Sequence, residues 1–532
     1  MTTSPRFFNT EGPVNCDDHY CLAPLERIDL LEILELIARK KYFVLHAPRQ
    51  TGKTSCLLAL MDHINRQGIY TCLYMNAEKG QSAREDVARG MRAVVGDLAS
   101  RARDFLHDDF PMKHMNPIRE EWGEDSVFSE LLSQWSARLD KRLVLLIDEV
   151  DTLIGDTLIS LLRQIRAGYD KRPAHFPQSI ILCGVRDVRD YRIHSAKEKA
   201  VITGGSAFNI KAKSLQLGDF SREEMESLYR QHTEETGQVF EPGALSLIWN
   251  LTWGQPWLVN ALAYETCFEM EKGRDRKRPI TREMIEDAKE ALILRRVTHL
   301  DQLGDKLAEE RVRRVISPML QGQSLEKGVR LDDIQYAMDL GLIRRTKDGP
   351  VIANAIYREV LPRELTFVTQ LNMEAVFRQS WYVLKDGRLD MPGLLSAFQE
   401  FFREHSEHWV ERFQYKEAGP QLLMQAFLQR IINGGGRVER EYGLGRMRTD
   451  LLVLWQFPSG MQRVVIELKV LYKTLEKTIA DGLSQTHSYM DRCGASEGNL
   501  VIFDRTPNRP WEKKIFVREE EYEGKSITVW GM

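Results

Sequence analysis

The sequence predicts an α/β protein built in series: a parallel sheet covered by helices, a helical region, a small helix-and-hairpin module, and a separate C-terminal α/β unit. Three observations predict it. Short apolar runs alternate with helical stretches up to about residue 215, the pattern of a parallel sheet with both faces covered. From Phe220 onward strand-like runs stop. After Gly434-Gly-Gly436 they return, in a different order.

The elements follow in turn. Residues 25–41 read as an amphipathic helix, and Tyr42-Phe-Val-Leu-His46 as a short buried strand. Ser55 to Gln67 is helical and Tyr70–Met75 is a second strand. Val127–Leu139 is helical, Leu143–Ile147 a strand, Thr157–Tyr169 a helix and Ser179–Cys183 a strand. Ser221-Arg-Glu-Glu224 opens a helix with acids in its first turn. With Gly254-Gln-Pro256 and the helix after it, this makes residues 216–300 a helical lid on the core of residues 1–215. Gly273-Arg-Asp-Arg-Lys-Arg-Pro279 is a charged surface loop, read either as a solvated turn or as a nucleic-acid contact. Residues 301–370 hold two helices (307–320 and 331–340), then Gly341-Leu-Ile-Arg-Arg345, a turn at Gly349 and Val351-Ile-Ala. That order is winged-helix-like, and it suits a packing or oligomerisation module equally. Residues 371–410 read as a helical connector and 411–532 as the last domain.

Composition bounds the function. At 532 residues, two to four domains are expected. Apolar content of 43% and charged content of 28% fit a soluble globular protein. The net charge of −3 excludes a strongly basic nucleic-acid footprint over the whole surface, while leaving room for a local groove. The seven cysteines are scattered and odd in number, which reads as reduced thiols in a cytoplasmic protein. Cys16, His19 and Cys21 form a conceivable ligand set, but no second pair with matching spacing accompanies them. The N-terminus has no signal-peptide core, and no apolar run reaches the roughly 20 residues that span a bilayer.

Two constellations carry chemistry. In Ala47-Pro-Arg-Gln50-Thr51-Gly52-Lys53-Thr54-Ser55, a glycine loop opens a helix. Its N–H groups suit phosphates, its lysine adds charge, and Thr54 offers a hydroxyl to Mg²⁺. Roughly a hundred residues later, Leu-Leu-Ile-Asp148-Glu149 supplies Asp148 for the metal's water shell and Glu149 to polarise an attacking water. Together they make ATP hydrolysis the default. Arg163, Arg166 and Arg186 are arginine-finger candidates, and each suits a structural salt bridge equally.

In the C-terminal unit, Asp450–Phe457 and Gln462–Val470 read as a hairpin that sets Asp450 almost opposite Glu467. Alternation along the strand puts Glu467 and Lys469 on one face. Two carboxylates and a lysine suit Mg²⁺ with oxygen ligands, or Mn²⁺ in its place. Burying such charges unpaired would cost several kcal/mol, which argues against a bland apolar strand pair. Ile479–Asp491 is a helix carrying Gln485 and Tyr489 on one face, and Asn499–Phe503 the next strand.

On the phosphate loop, Asp148-Glu149, Gly184-Val-Arg-Asp187 and Gly254-Gln-Pro256, residues 20–300 resemble AAA+/STAND-like ATPases, the archaeal ATPase group included. Ala47 stands where the loop's first glycine is usual, which implies a slightly altered loop. Asp450, Glu467, Lys469 and Gln485 resemble the core motif of the PD-(D/E)XK nuclease superfamily. Glu441, Glu417 or Gln421 are candidates for that motif's first acidic position, and Thr449 replaces its proline. The resemblance implies an ATP-regulated, metal-dependent nuclease that acts on nucleic acid, DNA first, and oligomerises through the ATPase. Its setting would be phage defence or mobile-element biology. The alternative is an ATP-driven DNA-binding switch whose nuclease-like domain does not cut.

Overall fold

The computed structural model describes residues 5–187, 192–195, 200–203, 209–295, 298–320, 329–347, 349–361, 382–412, 424, 427–428, 436–441, 450–471, 474–504, 506 and 509–532. They fall into two compact units. The first holds Met1–Arg295 and Met338–Ile343; the second holds Arg296–Ala337 and Arg344–Met532.

The first unit opens with β1 (Phe7–Phe8) paired to β2 (His19–Tyr20). Phe8 and Tyr20 are buried among Tyr229, His232 and Phe268 of the helical region. The turn between the two strands brings the Cα atoms of Cys16 and Cys21 to 5.4 Å, and the two form a disulfide. This corrects the expectation of seven reduced thiols and takes both sulfurs out of any metal-ligand set. His19 is engaged as well, its Nδ1 accepting from the Asn15 N–H at 3.0 Å.

A parallel sheet follows. Its strands are β3 (Tyr42–His46), β4 (Tyr70–Asn76), β5 (Arg142–Asp148), β6 (Ser179–Gly184) and β9 (Lys211–Gln216), in spatial order β4-β5-β6-β3-β9. The pair β7 (Arg192–Ser195) and β8 (Ala200–Thr203) lies outside it. Alternate strand residues go to opposite cores. Phe43, Leu45, Val144, Leu146 and Ile181 pack under α1 (Leu30–Ala38) and α2 (Lys53–Gln67). Val44, Leu73, Leu145, Ile147 and Leu182 pack under α3 (Val87–Leu106), α4 (Phe110–Trp122), α5 (Val127–Arg138) and α6 (Gly155–Ala167). The expected helix over 25–41 is shorter, because Asp29 caps α1 by accepting from the Glu32 N–H.

The helical region read as a lid includes α7 (Arg222–Thr236), α8 (Pro242–Thr252), α9 (Pro256–Tyr264) and α10 (Arg282–Leu294). Ser221 and Glu224 close a reciprocal capping box at the start of α7. Gly254 has φ +77°, and a Cβ there would lie 2.0 Å from the Phe220 carbonyl oxygen, so only glycine fits.

In the second unit, α11 (Thr298–Leu307), α12 (Glu310–Leu320) and α13 (Leu331–Asp339) precede a two-stranded sheet of β10 (Ile343–Thr346) and β11 (Gly349–Ile352). The last residues of α13 and the turn after it belong to the first unit. Then come α14 (Met391–Arg412) and a six-stranded mixed sheet. Its strands are β12 (Gly436–Glu441), β13 (Asp450–Phe457), β14 (Gly460–Val470), β15 (Glu497–Phe503), β16 (Phe516–Tyr522) and β17 (Lys525–Gly531), in order β12-β13-β14-β15-β17-β16. β12, β13 and β14 form an antiparallel meander, and β15 runs parallel to β14 after α15 (Leu475–Cys493). Leu394, Phe398 and Phe401, within the stretch 371–410 read as a helical connector, pack in the core on one face of this sheet. Residues 371–381 lie outside the described residues. Ile479, Leu483 and Met490 of α15 cover the other face.

Candidate functional site

The phosphate-loop segment leaves β3 at the C-terminal edge of the sheet, and β6 separates it from β5. Ala47 keeps strand pairing one residue longer, its N–H donating to the Gly184 carbonyl at 3.2 Å. Gln50 (φ 57°) and Gly52 (φ 94°) then turn the chain into α2. Thr51 is buried, and its hydroxyl donates to the Pro48 carbonyl at 2.8 Å. Lys53 is 5% exposed, and its ammonium donates to the carbonyls of Ala47 and Pro48 at 3.0 and 2.9 Å, which holds it inside the loop. Ser55 Oγ accepts from the Val14 N–H at 3.0 Å, joining the N-terminal segment to the start of α2.

Asp148 ends β5 fully buried. Its Oδ2 accepts from Thr54 Oγ1 at 2.7 Å and from the Tyr74 phenol at 3.2 Å, while Oδ1 accepts from the Glu149 N–H at 2.9 Å. Three donors thus fix one carboxylate beside the Thr54 hydroxyl. Glu149 takes the left-handed conformation at φ 54°. Burial pushes its carboxyl up from the ordinary glutamate range, and the Lys53 charge partly opposes this. A helix N-terminus, a buried lysine, a hydroxyl–carboxylate pair and a second carboxylate are the donor set that a nucleoside triphosphate with Mg²⁺ requires. Lys53 and the loop N–H groups would hold phosphate, and Thr54 with Asp148 the metal.

A cleft beside this loop has walls that sequence reading missed. Asn9, Thr10 and Gly12 of the N-terminal segment, Arg27, Phe220, Trp257 and Asn260 line it together with Gln50, Thr51, Gly52 and Ser55. Trp257 Nε1 donates to the Thr10 carbonyl at 2.9 Å. No local pattern marks these residues, since they meet only through the tertiary fold.

The candidate arginines divide. Arg186 is buried in an ion pair with Asp339 at 2.8 Å, within the first unit. This is the structural salt-bridge alternative for Arg186. Arg163 and Arg166 are exposed on α6. In the charged loop, Arg276 donates to the carbonyls of Cys267 and Gly273 and to Gln238, so its guanidinium holds the loop together.

In the second unit, Asp450 pairs with Glu467 in the β13–β14 register, and Glu441 pairs with Asp450 across β12–β13. Three acidic positions therefore share one row of the sheet. The side chains of Glu441 and Asp450, and residues Glu417 and Gln421, lie outside the described residues. Glu467 is fully buried on the face that α15 covers. Lys469 Nζ donates to both Glu467 Oε1 and Gln485 Oε1, so a lysine, a glutamate and a glutamine from two elements converge. Among the described residues, no group of three or more His, Cys, Asp or Glu side chains is arranged to hold a metal. Within those residues too, no helix is long and apolar enough to cross a membrane.

Residues 37–191 match the model of the AAA domain family. The fold is similar to the Walker-type ATPase PABY2304 of Pyrococcus abyssi, at 14% identity and TM-score 0.45, over 66% of this chain and 99% of that one. It is also similar to the ORC2 protein of Aeropyrum pernix (15%, TM-score 0.37, 66% and 94%). A third likeness is to the RuvB Holliday junction branch migration motor of Thermotoga maritima (14%, TM-score 0.33, 63% and 96%). No curated protein sequence matches the chain. The first unit carries an AAA-type P-loop ATPase domain, resting on the family match and on the geometry around Lys53, Thr54 and Asp148.

Proposed function

We propose that this chain is an ATP-regulated, metal-dependent nuclease of the PD-(D/E)XK kind, cutting phosphodiester bonds in nucleic acid, DNA first. The observation that carries the nuclease half is the register of Asp450 with Glu467, beside a Lys469 tied to Glu467 and Gln485. The order of elements supports it: an antiparallel meander of three strands, a helix, then a strand parallel to the third.

On this reading Asp450 and Glu467 hold one or two Mg²⁺ or Mn²⁺ ions. Such ions supply Lewis-acid stabilisation of the developing charge on phosphorus-bound oxygens. Lys469 adds a fixed positive charge at the same point, and Gln485 fixes the lysine. At the other site Lys53 neutralises phosphate charge, Thr54 and Asp148 hold Mg²⁺, and Glu149 orients the attacking water. ATP acts through an assembly of several copies, and an exposed arginine on α6, Arg163 or Arg166, serves a neighbouring copy. Phage defence or mobile-element biology is the setting in which such a fusion is useful.

The test incubates the protein with plasmid and linear DNA in Mg²⁺ or Mn²⁺, with and without ATP, beside Asp450→Ala. Cutting that vanishes in the variant while ATPase activity persists supports the reading. ATP-dependent DNA binding with no cutting under any condition sinks it in favour of a DNA-binding switch.

A further inference from the structure

The guanidinium of Arg27 sits where three parts of the first unit meet. Its Nη1 donates to the Thr51 carbonyl of the phosphate loop. Its Nη2 donates to the Gly218 carbonyl at 2.7 Å. Its Cζ lies over the Phe220 ring, 4.6 Å from the centroid. Gly218 and Phe220 belong to the short stretch joining β9 to α7, between the sheet and the lid. Phe220 is itself anchored to the lid, its N–H donating to the Gly254 carbonyl at 2.8 Å.

Consider what the Thr51 contact does. The Thr51–Gly52 peptide is trans, so its carbonyl and its N–H point in opposite directions. Fixing the carbonyl on Arg27 fixes the Gly52 N–H as well, and a charged donor on the carbonyl polarises that N–H into a stronger donor. Gly52 takes the left-handed φ of +94°, and its Cα lies so close to the Arg27 fork that a Cβ there would come within 2.7 Å of Arg27 Nη1. The lid end is equally specific. Two carbonyls and a ring face are met by one planar fork, an arrangement a lysine ammonium cannot reproduce.

We propose that Arg27 is the positioning residue that couples the phosphate loop to the lid. Phosphate bound at Gly52 N–H stiffens the Thr51 peptide, Arg27 carries this to Gly218 and Phe220, and the lid closes against the cleft that Trp257 lines. By linkage, lid position sets nucleotide affinity in return. The inference rests on the nucleotide reading of this site.

The experiment measures hydrogen–deuterium exchange over residues 218–256 with and without saturating MgADP, in the wild type, Arg27→Ala and Arg27→Lys. Titration with MgADP runs alongside, followed by tryptophan fluorescence. The expected result is nucleotide-induced protection in the wild type, none in Arg27→Ala, and a partial response in Arg27→Lys. Affinity should fall about tenfold in the alanine variant. Full lid protection in either variant at saturation overturns the coupling while leaving the nucleotide site intact. A wild type that binds MgADP without any lid response overturns it too. A wild type that binds no nucleotide overturns both the coupling and the site reading. Should Arg27→Ala not fold, Arg27→Lys decides alone: wild-type protection overturns the inference and a diminished response sustains it.

Discussion

On the proposed reading, Glu149 would set stability against chemistry in one side chain. Its carboxyl is raised by burial, so the folded state favours the protonated form. The sign follows from linkage: the folded value lies above the unfolded one, so the stabilising contribution is present in acid and is lost as pH rises through the folded value. At neutral pH the ionised group is a net cost. Glu149→Gln should therefore melt higher than wild type at pH 7, the gap closing as pH falls toward the ordinary glutamate range. The same variant should bind ATP and hydrolyse it at least about a hundredfold more slowly. Normal turnover would remove Glu149 from its role. In the wild type, hydrolysis should fail at a higher pH on acidification than an exposed glutamate would allow. Tyr74 makes a second prediction at this scale. Tyr74→Phe takes one of three donors from Asp148 and should raise the Mg²⁺ concentration for half-maximal ATPase activity a few-fold. An unchanged Mg²⁺ titration would show that Thr54 and the Glu149 N–H suffice.

Among the elements, α15 and its crossing with β15 place Gln485 against Lys469 at the proposed second site. Gly482 faces Leu500 so closely that a Cβ would meet both Leu500 methyl carbons at 2.6 Å. Gly482→Val should lift α15 from the sheet, cost about 1–3 kcal/mol, part Gln485 from Lys469 and lower DNA cleavage, with ATPase activity unchanged. Adding Leu500→Ala should restore both melting temperature and cleavage, and failure of that rescue would locate the effect elsewhere. Elements of this kind were legible where the physics is local. β3, β5, β6, β13 and β15 are apolar runs buried on both sides, and each stands within about a residue or two of its expected place. β9 was not foreseen because Lys211-Ala-Lys-Ser-Leu-Gln216 is a polar edge strand, recruited by pairing with β3. β16, with Arg518 and three glutamates in its run, was hidden for the same reason. The two sites differ likewise. Lys53, Thr54 and Asp148 sit in contiguous motifs, while Arg27 and Trp257 reach the cleft only through contacts distant in sequence.

For the molecule as a whole, two units and two donor sets predict separable activities. Asp450→Ala should abolish cleavage and leave ATP hydrolysis within about twofold, since the two donor sets share no residue. A parallel loss of both activities would mean that the sites depend on one another for folding. ATP should alter the cleavage rate in the wild type and fail to do so in Lys53→Ala. Cleavage indifferent to ATP in both would separate the nuclease from its proposed regulation.

The first unit is not a contiguous stretch of chain. Its final piece, Met338–Ile343, follows a segment that belongs to the second unit, and it delivers Asp339 to the buried Arg186. During synthesis the ribosome therefore finishes the sheet and lid well before it releases the carboxylate that neutralises this guanidinium. At about 5–20 residues per second the delay over some fifty residues is of the order of several seconds. Through that interval the nascent first unit lacks the Asp339 carboxylate that pairs with Arg186. Nascent chains arrested just before and just after residue 343 should differ sharply in protease resistance of the first unit. The order of translation, rather than any linker, would then fix when this ATPase becomes complete.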